Sequence, residues 1–241
     1  MPRPAPLLKI DDRIVGVVDV LGGVAVAPPP GAGGNRSEYQ IVDAFGGDVR
    51  RIAVAMGKLG IRGIYVADLD ALGGLSESRS SSNAGAIEDF GKVEGITDVW
   101  VDAGRRLVPG ASFGSIVSSE AFGDVASAKA AIENRINLDR MAISLDFRDG
   151  EFWGDDWPEW KRWSSETNLT TFVIDVSAVG ECGVRTASRC RELRRSGFKG
   201  TLISGGGVDG NDDVQRLIDA GADRVMVGRR ILQRLTQIEP C

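Results

Sequence analysis

Two aspartates, Asp19 and Asp146, stand at the ends of apolar runs and are each soon followed by glycine. The chain contains no histidine, so imidazole bases, Ser-His and Cys-His pairs and His-ligated metals are excluded. Acid–base chemistry therefore falls first to carboxyl groups. Two carboxyl groups that face one pocket can act as base and acid when their surroundings separate their pKa values. The structural alternative is that each aspartate caps the next turn or helix.

Glycine-rich turns after several apolar runs predict phosphate binding, because exposed backbone N–H groups that lead into a helix attract anions. One predicted cradle comprises Gly206, Gly207, Gly228 and Arg229, and the other comprises Gly104, Arg106, Ser118 and Ser119. The serine hydroxyls of the second cradle can donate to phosphate oxygens. Two cradles across one pocket would suit a substrate with a phosphate at each end.

These side chains need a scaffold that brings the ends of many strands together. Short apolar runs alternate with helical patterns along the whole chain, which is typical of βα units. Amphipathic patterns predict helices at 42–59, 126–135, 186–196 and 212–220. The predicted strands are 13–19, 63–68, 97–102, 113–118, 141–146, 171–175, 201–204 and 224–227.

Eight such strands in one chain predict a (β/α)₈ TIM barrel that forms a single domain over residues 1–241. A doubly wound open sheet is the alternative. A faint repeat favours the barrel, because Asp19 on the first strand and Asp146 on the fifth occupy matching places. The barrel is therefore predicted to consist of two (βα)₄ halves, with both aspartates at its carboxyl-terminal mouth.

Composition excludes several classes of protein. The chain has 29 Lys and Arg against 34 Asp and Glu, a net charge of −5, so it lacks the basic surface of a nucleic-acid binder. Without a long apolar run or a recognisable leader, we expect a cytoplasmic protein that does not enter a membrane. Cys182, Cys190 and Cys241 show no metal or redox spacing.

No cofactor and no metal are expected. An all-carboxylate metal site is the alternative, and it would use Asp19, Asp68, Asp146 and Asp175. A Schiff-base mechanism is disfavoured, because no lysine stands at the carboxyl-terminal end of a predicted strand.

Five segments in order, VVDVLGGVAV, VADLD, ISLDFRDG, ISGGGVD and RVMVGRR, resemble the histidine-biosynthesis barrel family. That family contains the phosphoribosylformimino-aminoimidazole-carboxamide ribotide isomerase and the cyclase subunit of imidazole glycerol phosphate synthase. The resemblance implies that Asp19 is the first-strand base, that Asp146 is its fifth-strand partner and that both glycine cradles bind phosphate. Asn83 matches an asparagine that follows the second strand, and the remaining candidate substrate contacts are Asp68, Asp175 and Glu181.

The chain also departs from the family pattern. Leu21 and Val26 stand where basic residues are usual, and Asp102 lies beside a predicted phosphate cradle, where it would repel an anion. The usual aspartate after the sixth strand aligns with Gly180, and only a shift brings Glu181 to its place. These departures resemble a divergent branch found in organisms that use one-carbon carriers such as tetrahydromethanopterin and methanofuran.

The resemblance thus implies an isomerase or lyase that acts on a phosphorylated sugar or related small metabolite in the biosynthesis of such a carrier. The first alternative is the histidine-pathway isomerase itself. A cyclase-like enzyme fed with ammonia by a partner, and a non-catalytic barrel that binds a phosphorylated ligand, are the others. A homo-oligomer is compatible with the sequence, which does not distinguish an exposed helix from one at an interface.

Overall fold

Eight parallel strands close into a barrel in the computed structural model, which describes residues 8–29, 32, 35–73, 77–107, 113–133, 140–179, 181 and 183–238. The strands are β1 (Ile14–Leu21), β2 (Val24–Ala27), β3 (Gln40–Ile41), β4 (Gly63–Asp68), β5 (Asp98–Asp102), β6 (Gly114–Ser118), β7 (Met141–Arg148), β8 (Glu151–Phe152), β9 (Thr170–Asp175), β10 (Leu202–Gly205) and β11 (Arg224–Val227). The parallel order is β1, β4, β5, β6, β7, β9, β10 and β11, and β11 pairs back to β1. This closure confirms the predicted (β/α)₈ barrel and excludes the open sheet.

Helices lie between most of the barrel strands. They are α1 (Val49–Lys58), α2 (Leu69–Leu72), α3 (Glu77–Phe90), α4 (Ser119–Phe122), α5 (Val125–Ile132), α6 (Trp157–Thr167), α7 (Ala187–Arg195), α8 (Asn211–Asp219) and α9 (Arg229–Ile238). Within the described ranges, none of them is both long and apolar enough to cross a membrane.

The buried side chains form two apolar layers because successive residues of a strand point to opposite faces. On β1, Ile14 and Val18 join the larger cluster, which also contains the buried helix residues. Val15 belongs to the smaller cluster with Phe172, Met226 and other strand residues, which fills the barrel interior. The alternation therefore directs the odd positions of β1, Asp19 among them, towards the barrel axis.

The antiparallel strands extend β1 and β7 beyond the barrel. β2 and β3 follow β1 and form a small sheet over its end, with Asp19 opposite Val26. β8 pairs with the end of β7 in the same manner, with Phe152 opposite Phe147. The first and fifth barrel strands, which carry Asp19 and Asp146, are thus each followed by an antiparallel strand of their own.

One predicted helix starts later than its apolar pattern suggests. The pattern begins at Val42, whereas α1 begins at Val49, because Phe45, Gly46 and Gly47 adopt left-handed backbone angles that interrupt a helix. The Asp48 side chain then caps α1 by accepting a hydrogen bond from the N–H of Arg51 at 2.9 Å. Helices α5, α7 and α8 lie within or close to their predicted ranges.

Candidate active site

A cleft opens at the carboxyl-terminal ends of the barrel strands, where active sites of this fold lie. The space between its walls, together with the open mouth, is about 1030 Å³. Asp19 of β1 and Asp146 of β7 both line it, from strands four places apart in the ring of eight. The fold therefore brings the two aspartates into one pocket from opposite sides of the barrel.

Asp19 faces the cleft from the end of β1, and its carboxyl group makes no hydrogen bond within the part of the chain that the structure describes. Burial raises its pKa from 3.8 to about 7, because an ionised carboxylate loses hydration there, while the charge of Arg36 acts in the opposite direction. The protonated and ionised forms of Asp19 are therefore both populated near neutral pH. A group in this state can donate or accept a proton.

Asp146 is held more tightly than Asp19. One carboxyl oxygen accepts a hydrogen bond from Ser144 Oγ at 2.6 Å, and the other accepts from the Glu120 N–H at 3.1 Å and from Ser119 Oγ at 3.3 Å. Burial raises its pKa, and these hydrogen bonds, which favour the charged form, partly oppose the increase. Asp146 is thus a carboxyl group of fixed orientation.

A third carboxyl group, Asp102 at the end of β5, also lines the cleft. It accepts hydrogen bonds from the Gly104 N–H at 3.0 Å, from Ser118 Oγ at 3.3 Å and from the hydroxyl of Tyr65 at 3.2 Å. Its pKa is raised from 3.8 to about 7, first by burial and second by the charge of Asp146. In the sequence, Asp102 stands out only as a departure from the family pattern beside a predicted phosphate cradle, and not as a candidate site residue.

An ion pair in the cleft lining joins the segment after β2 to the start of α4. Arg36 Nη2 lies 2.7 Å from Glu120 Oε1 and donates a hydrogen bond to Glu120 Oε2 at 2.9 Å. Both residues line the cleft, together with Tyr39, and none of the three was predicted from the sequence. Glu120 directly follows the predicted cradle serines, but nothing in the sequence pattern pairs it with a residue 84 positions away.

The cradle predicted after the last two strands lies on the opposite wall. Gly206, Gly207, Gly228 and Arg229 all line the cleft. Gly206 has φ of 94°, and a Cβ atom there would collide with the carbonyl oxygen of Asp175, so the turn requires glycine. Arg229 begins α9, and its Nη2 donates to Asp209 Oδ1 at 2.9 Å. This half of the cleft offers the glycine turn and the start of α9 to an anion, and it carries the guanidinium group of Arg229, which is paired with Asp209.

The other predicted cradle is arranged differently. The hydroxyls of Ser118 and Ser119 and the N–H of Gly104 are buried and are directed to the carboxyl groups of Asp102 and Asp146. Arg106 is exposed and lies outside the cleft lining. The structure therefore gathers these donors around two carboxylates.

Two further candidates hold the turn after β1 in place. Asp68 caps α2 at the Ala71 N–H and accepts a hydrogen bond from Asn83 Nδ2 at 2.6 Å. Asn83 is fully buried and accepts from the Gly23 N–H at 2.7 Å. Neither lines the cleft, so their contacts position the turn that follows the Asp19 strand.

The candidate at the end of β9 and the one in the segment that follows β9 occupy different places. Asp175 is buried outside the cleft lining, where one oxygen accepts from the N–H and hydroxyl of Ser177 and the other has no partner within the described chain. Glu181 lines the cleft at the rim and lies 3.6 Å from Arg185 Nη2. Gly180, Cys182 and Cys241 lie outside the described residues.

No group of three or more His, Cys, Asp or Glu side chains in the described ranges is placed to hold a metal ion. Asp19 and Asp146 face the cleft, whereas Asp68 and Asp175 lie away from it. The alternative metal site made of these four carboxylates was therefore wrong, because adjacent positions at a strand end direct side chains to opposite faces of the barrel wall.

No family model matches the chain, and no curated protein matches it in sequence. Among solved structures, (S)-3-O-geranylgeranylglyceryl phosphate synthase from Thermoplasma acidophilum, in complex with its substrate sn-glycerol-1-phosphate, is similar with a TM-score of 0.56 and 14% identity, over 92% of this chain and 87% of that one. Orotidine 5'-monophosphate decarboxylase from Sulfolobus solfataricus has a TM-score of 0.51 and 13% identity, over 95% and 97%.

The orotidine 5'-monophosphate decarboxylase from Metallosphaera sedula has a TM-score of 0.53 and 15% identity, over 95% of this chain and 96% of that one. At these identities the likeness concerns the fold. The chain is a (β/α)₈ barrel. It is similar in fold to one enzyme named for a phosphorylated compound, orotidine 5'-monophosphate, and to another that is bound to sn-glycerol-1-phosphate.

Proposed function

We propose that this protein is an isomerase or lyase that acts on a phosphorylated sugar or a related small metabolite by carboxyl acid–base catalysis. The observation that carries the proposal is Asp19, a cleft carboxyl group with no hydrogen bond among the described residues and a pKa raised to about 7. Asp146 faces the same cleft from the opposite strand. Two carboxyl groups in one cleft can serve as acid and base when each has a suitable pKa and lies within reach of the proton that it transfers.

In an aldose-to-ketose rearrangement the two groups have complementary tasks. One carboxylic acid protonates the ring oxygen, so that the ring opens and C1 becomes a carbonyl or its imine. A carboxylate then removes the proton from C2 while the C1 oxygen or nitrogen gains a proton, which gives an enediol or enaminol. A proton is next delivered to C1, and the C2 hydroxyl loses its proton as C2 becomes the ketone. No proton is gained or lost overall, and no redox partner is needed. Asp19 is the proposed proton-transferring group at C2, and Asp146 is its partner.

The phosphate of the substrate is proposed to lie at the turns after β10 and β11, which carry Gly206, Gly207, Gly228 and Arg229. Backbone N–H groups at a glycine turn and at a helix start favour a phosphate dianion. Anchoring that end fixes the distance of the reacting carbons from the carboxyl groups, and such positioning is a large part of enzymatic rate enhancement. The similarity in fold to a barrel bound to sn-glycerol-1-phosphate supports a phosphorylated substrate.

The sequence resemblance to the histidine-biosynthesis barrels supports the same chemistry, and the departures at Leu21, Val26 and Asp102 favour a substrate other than that of the histidine pathway. The proposed setting is the biosynthesis of a one-carbon carrier of the tetrahydromethanopterin or methanofuran type. That setting rests on the resemblance to the divergent branch of the family.

Turnover of the histidine-pathway aminoaldose and of a panel of sugar monophosphates, followed by absorbance and by proton exchange at C2 in deuterated water, tests the proposal. Asp19→Asn should lower kcat at least about 100-fold, as expected for loss of a general base or acid. Asp12→Asn, at an exposed aspartate close to the same strand, is the matched control and should keep full activity.

Exchange or turnover that persists in Asp19→Asn would contradict the assigned role. Phosphate-ester binding without any exchange in the unmodified protein would instead favour the non-catalytic barrel. Turnover of the aminoaldose would identify the histidine-pathway isomerase.

A further inference from the structure

The cleft is strongly asymmetric between its two walls. The turns after β10 and β11 carry Gly206, Gly207, Gly228 and Arg229, and Glu181, which lies 3.6 Å from Arg185 Nη2, lines the cleft after β9. The rest of the cleft, from β1 through β5 and α4 to β7, is called the acidic wall here and carries four further acidic side chains, with Asp19 and Asp146 at its two ends. These are Asp19, Asp102, Glu120 and Asp146. Of the residues predicted for the two phosphate cradles, those after β10 and β11 line the described cleft, whereas Gly104, Arg106, Ser118 and Ser119 do not.

The donors that would form a cradle on the acidic wall already have acceptors within the protein. Asp102 Oδ1 accepts hydrogen bonds from the Gly104 N–H and the Ser118 hydroxyl, and its Oδ2 accepts one from the hydroxyl of Tyr65. Asp102 is 2% exposed, so its carboxyl group occupies this position as part of the core. A phosphate on this wall would have to displace a buried carboxylate from its hydrogen bonds.

The charges on the acidic wall also oppose the binding of a second phosphate there. The cation among the described residues on this wall is Arg36, and its guanidinium group contacts both oxygens of Glu120. Asp19, Asp102 and Asp146 therefore face the cleft without a cation of their own at salt-bridge distance among the described residues. Above about pH 7, where Asp19 and Asp102 are ionised, a second phosphate on this wall would be repelled by like charges.

The same wall offers acceptors to a different kind of group. Asp19 makes no hydrogen bond in the described chain, and its carboxyl group faces the cleft. A buried carboxyl group gains most from a donor that reaches it, which here is a hydroxyl or an ammonium group.

We infer that the substrate carries one phosphate, bound between the glycine turn after β10 and the start of α9, and that its far end carries hydroxyl or amino groups in place of a second phosphate. This inference rests on the proposed function, since it names the substrate class of the same cleft. It separates this protein from barrels that take a phosphate at both ends of the substrate.

The test compares two ligands that differ by one phosphate. Calorimetric titration of the full-length protein at pH 8, where Asp19 and Asp102 are mostly ionised, with ribulose 5-phosphate and with ribulose 1,5-bisphosphate should give a Kd for the monophosphate at least about tenfold lower. The reason is repulsion between the second phosphate and the carboxylates of the acidic wall. Asp102→Asn removes one of those charges with little change of shape. Asp102→Asn should bring the Kd values of the two ligands closer together, while Asp12→Asn should leave their ratio unchanged.

Equal or tighter binding of the bisphosphate by the unmodified protein would overturn the inference and leave the proposed acid–base function standing. A difference that Asp102→Asn does not narrow would also overturn it, because the acidic wall would then not be its cause. If neither ligand nor inorganic phosphate binds at millimolar concentration, both the inference and the proposed phosphate end fail. The Asp19 exchange experiment then decides separately whether acid–base chemistry takes place in the cleft.

Discussion

Replacing Asp19 by asparagine should stabilise the protein at neutral and alkaline pH while it abolishes the proposed activity. The physical reason is the cost of holding an ionised carboxylate in the cleft wall, where burial raises the pKa of Asp19 from 3.8 to about 7. Asparagine is nearly the same size and carries no charge. Active sites commonly store such a cost, and removing it gains stability at the expense of function.

The direction in which the free energy of unfolding changes with pH follows from proton linkage. Between about pH 4 and pH 7 the folded protein keeps a proton on Asp19 that the unfolded chain has released, so the free energy of unfolding falls as the pH rises through this window. The amide of the variant does not titrate. The stability of Asp19→Asn relative to the unmodified protein should therefore increase by about 1 kcal/mol up to pH 4.5 and by up to about 4 kcal/mol at pH 8.

Urea denaturation followed by circular dichroism at these two pH values measures the difference. The change of the difference with pH is the decisive quantity, because any effect of the amide itself is nearly independent of pH. Asp12→Asn, at an exposed site, controls for the loss of one negative charge from an acidic protein. A difference that stays constant, or one that shrinks from pH 4.5 to pH 8, would refute the reasoning.

Three further predictions follow from contacts in and around the cleft. Arg36→Gln should destabilise the fold by about 1–3 kcal/mol in urea denaturation, because Glu120 loses its partner. It should also move the acidic limb of the pH–rate profile to higher pH, because Arg36 holds down the pKa of Asp19. Gly206→Ala should cost about 1–3 kcal/mol, given its φ of 94°, and should weaken phosphate binding in a calorimetric titration. Asn83→Ala should cost about 2–4 kcal/mol, because it removes buried hydrogen bonds to the turn after β1, and thermal unfolding would detect the loss.

Much of the fold could be predicted from local patterns. Buried parallel strands are continuous apolar runs, and the polar residue at each end, such as Asp68 or Asp146, marks where the run leaves the barrel wall. Helix α1 was predicted seven residues too early, because a left-handed backbone at Phe45 is a response to its surroundings that an apolar pattern does not record.

The candidate site divides in a similar way. The placement of Asp19, Asp146 and the glycine turn after β10 along the cleft follows from topology, because every carboxyl-terminal strand end of a barrel meets at one mouth. The pairing of Arg36 with Glu120 does not follow from any local rule, since 84 residues separate them.

The sequence by itself determined the types of chemistry available, because without histidine proton transfer falls first to carboxyl groups, and its apolar runs specified eight strands. The pairing of β11 with β1, which only the tertiary structure shows, closed those strands into a barrel. Only the tertiary structure decided how the groups are used. Gly104 and Ser118 were predicted as phosphate donors from the sequence, yet in the folded chain they surround Asp102. Hydrogen bonds in a buried site depend on which groups lie within about 3 Å, and that distance is set by strand register and closure of the barrel.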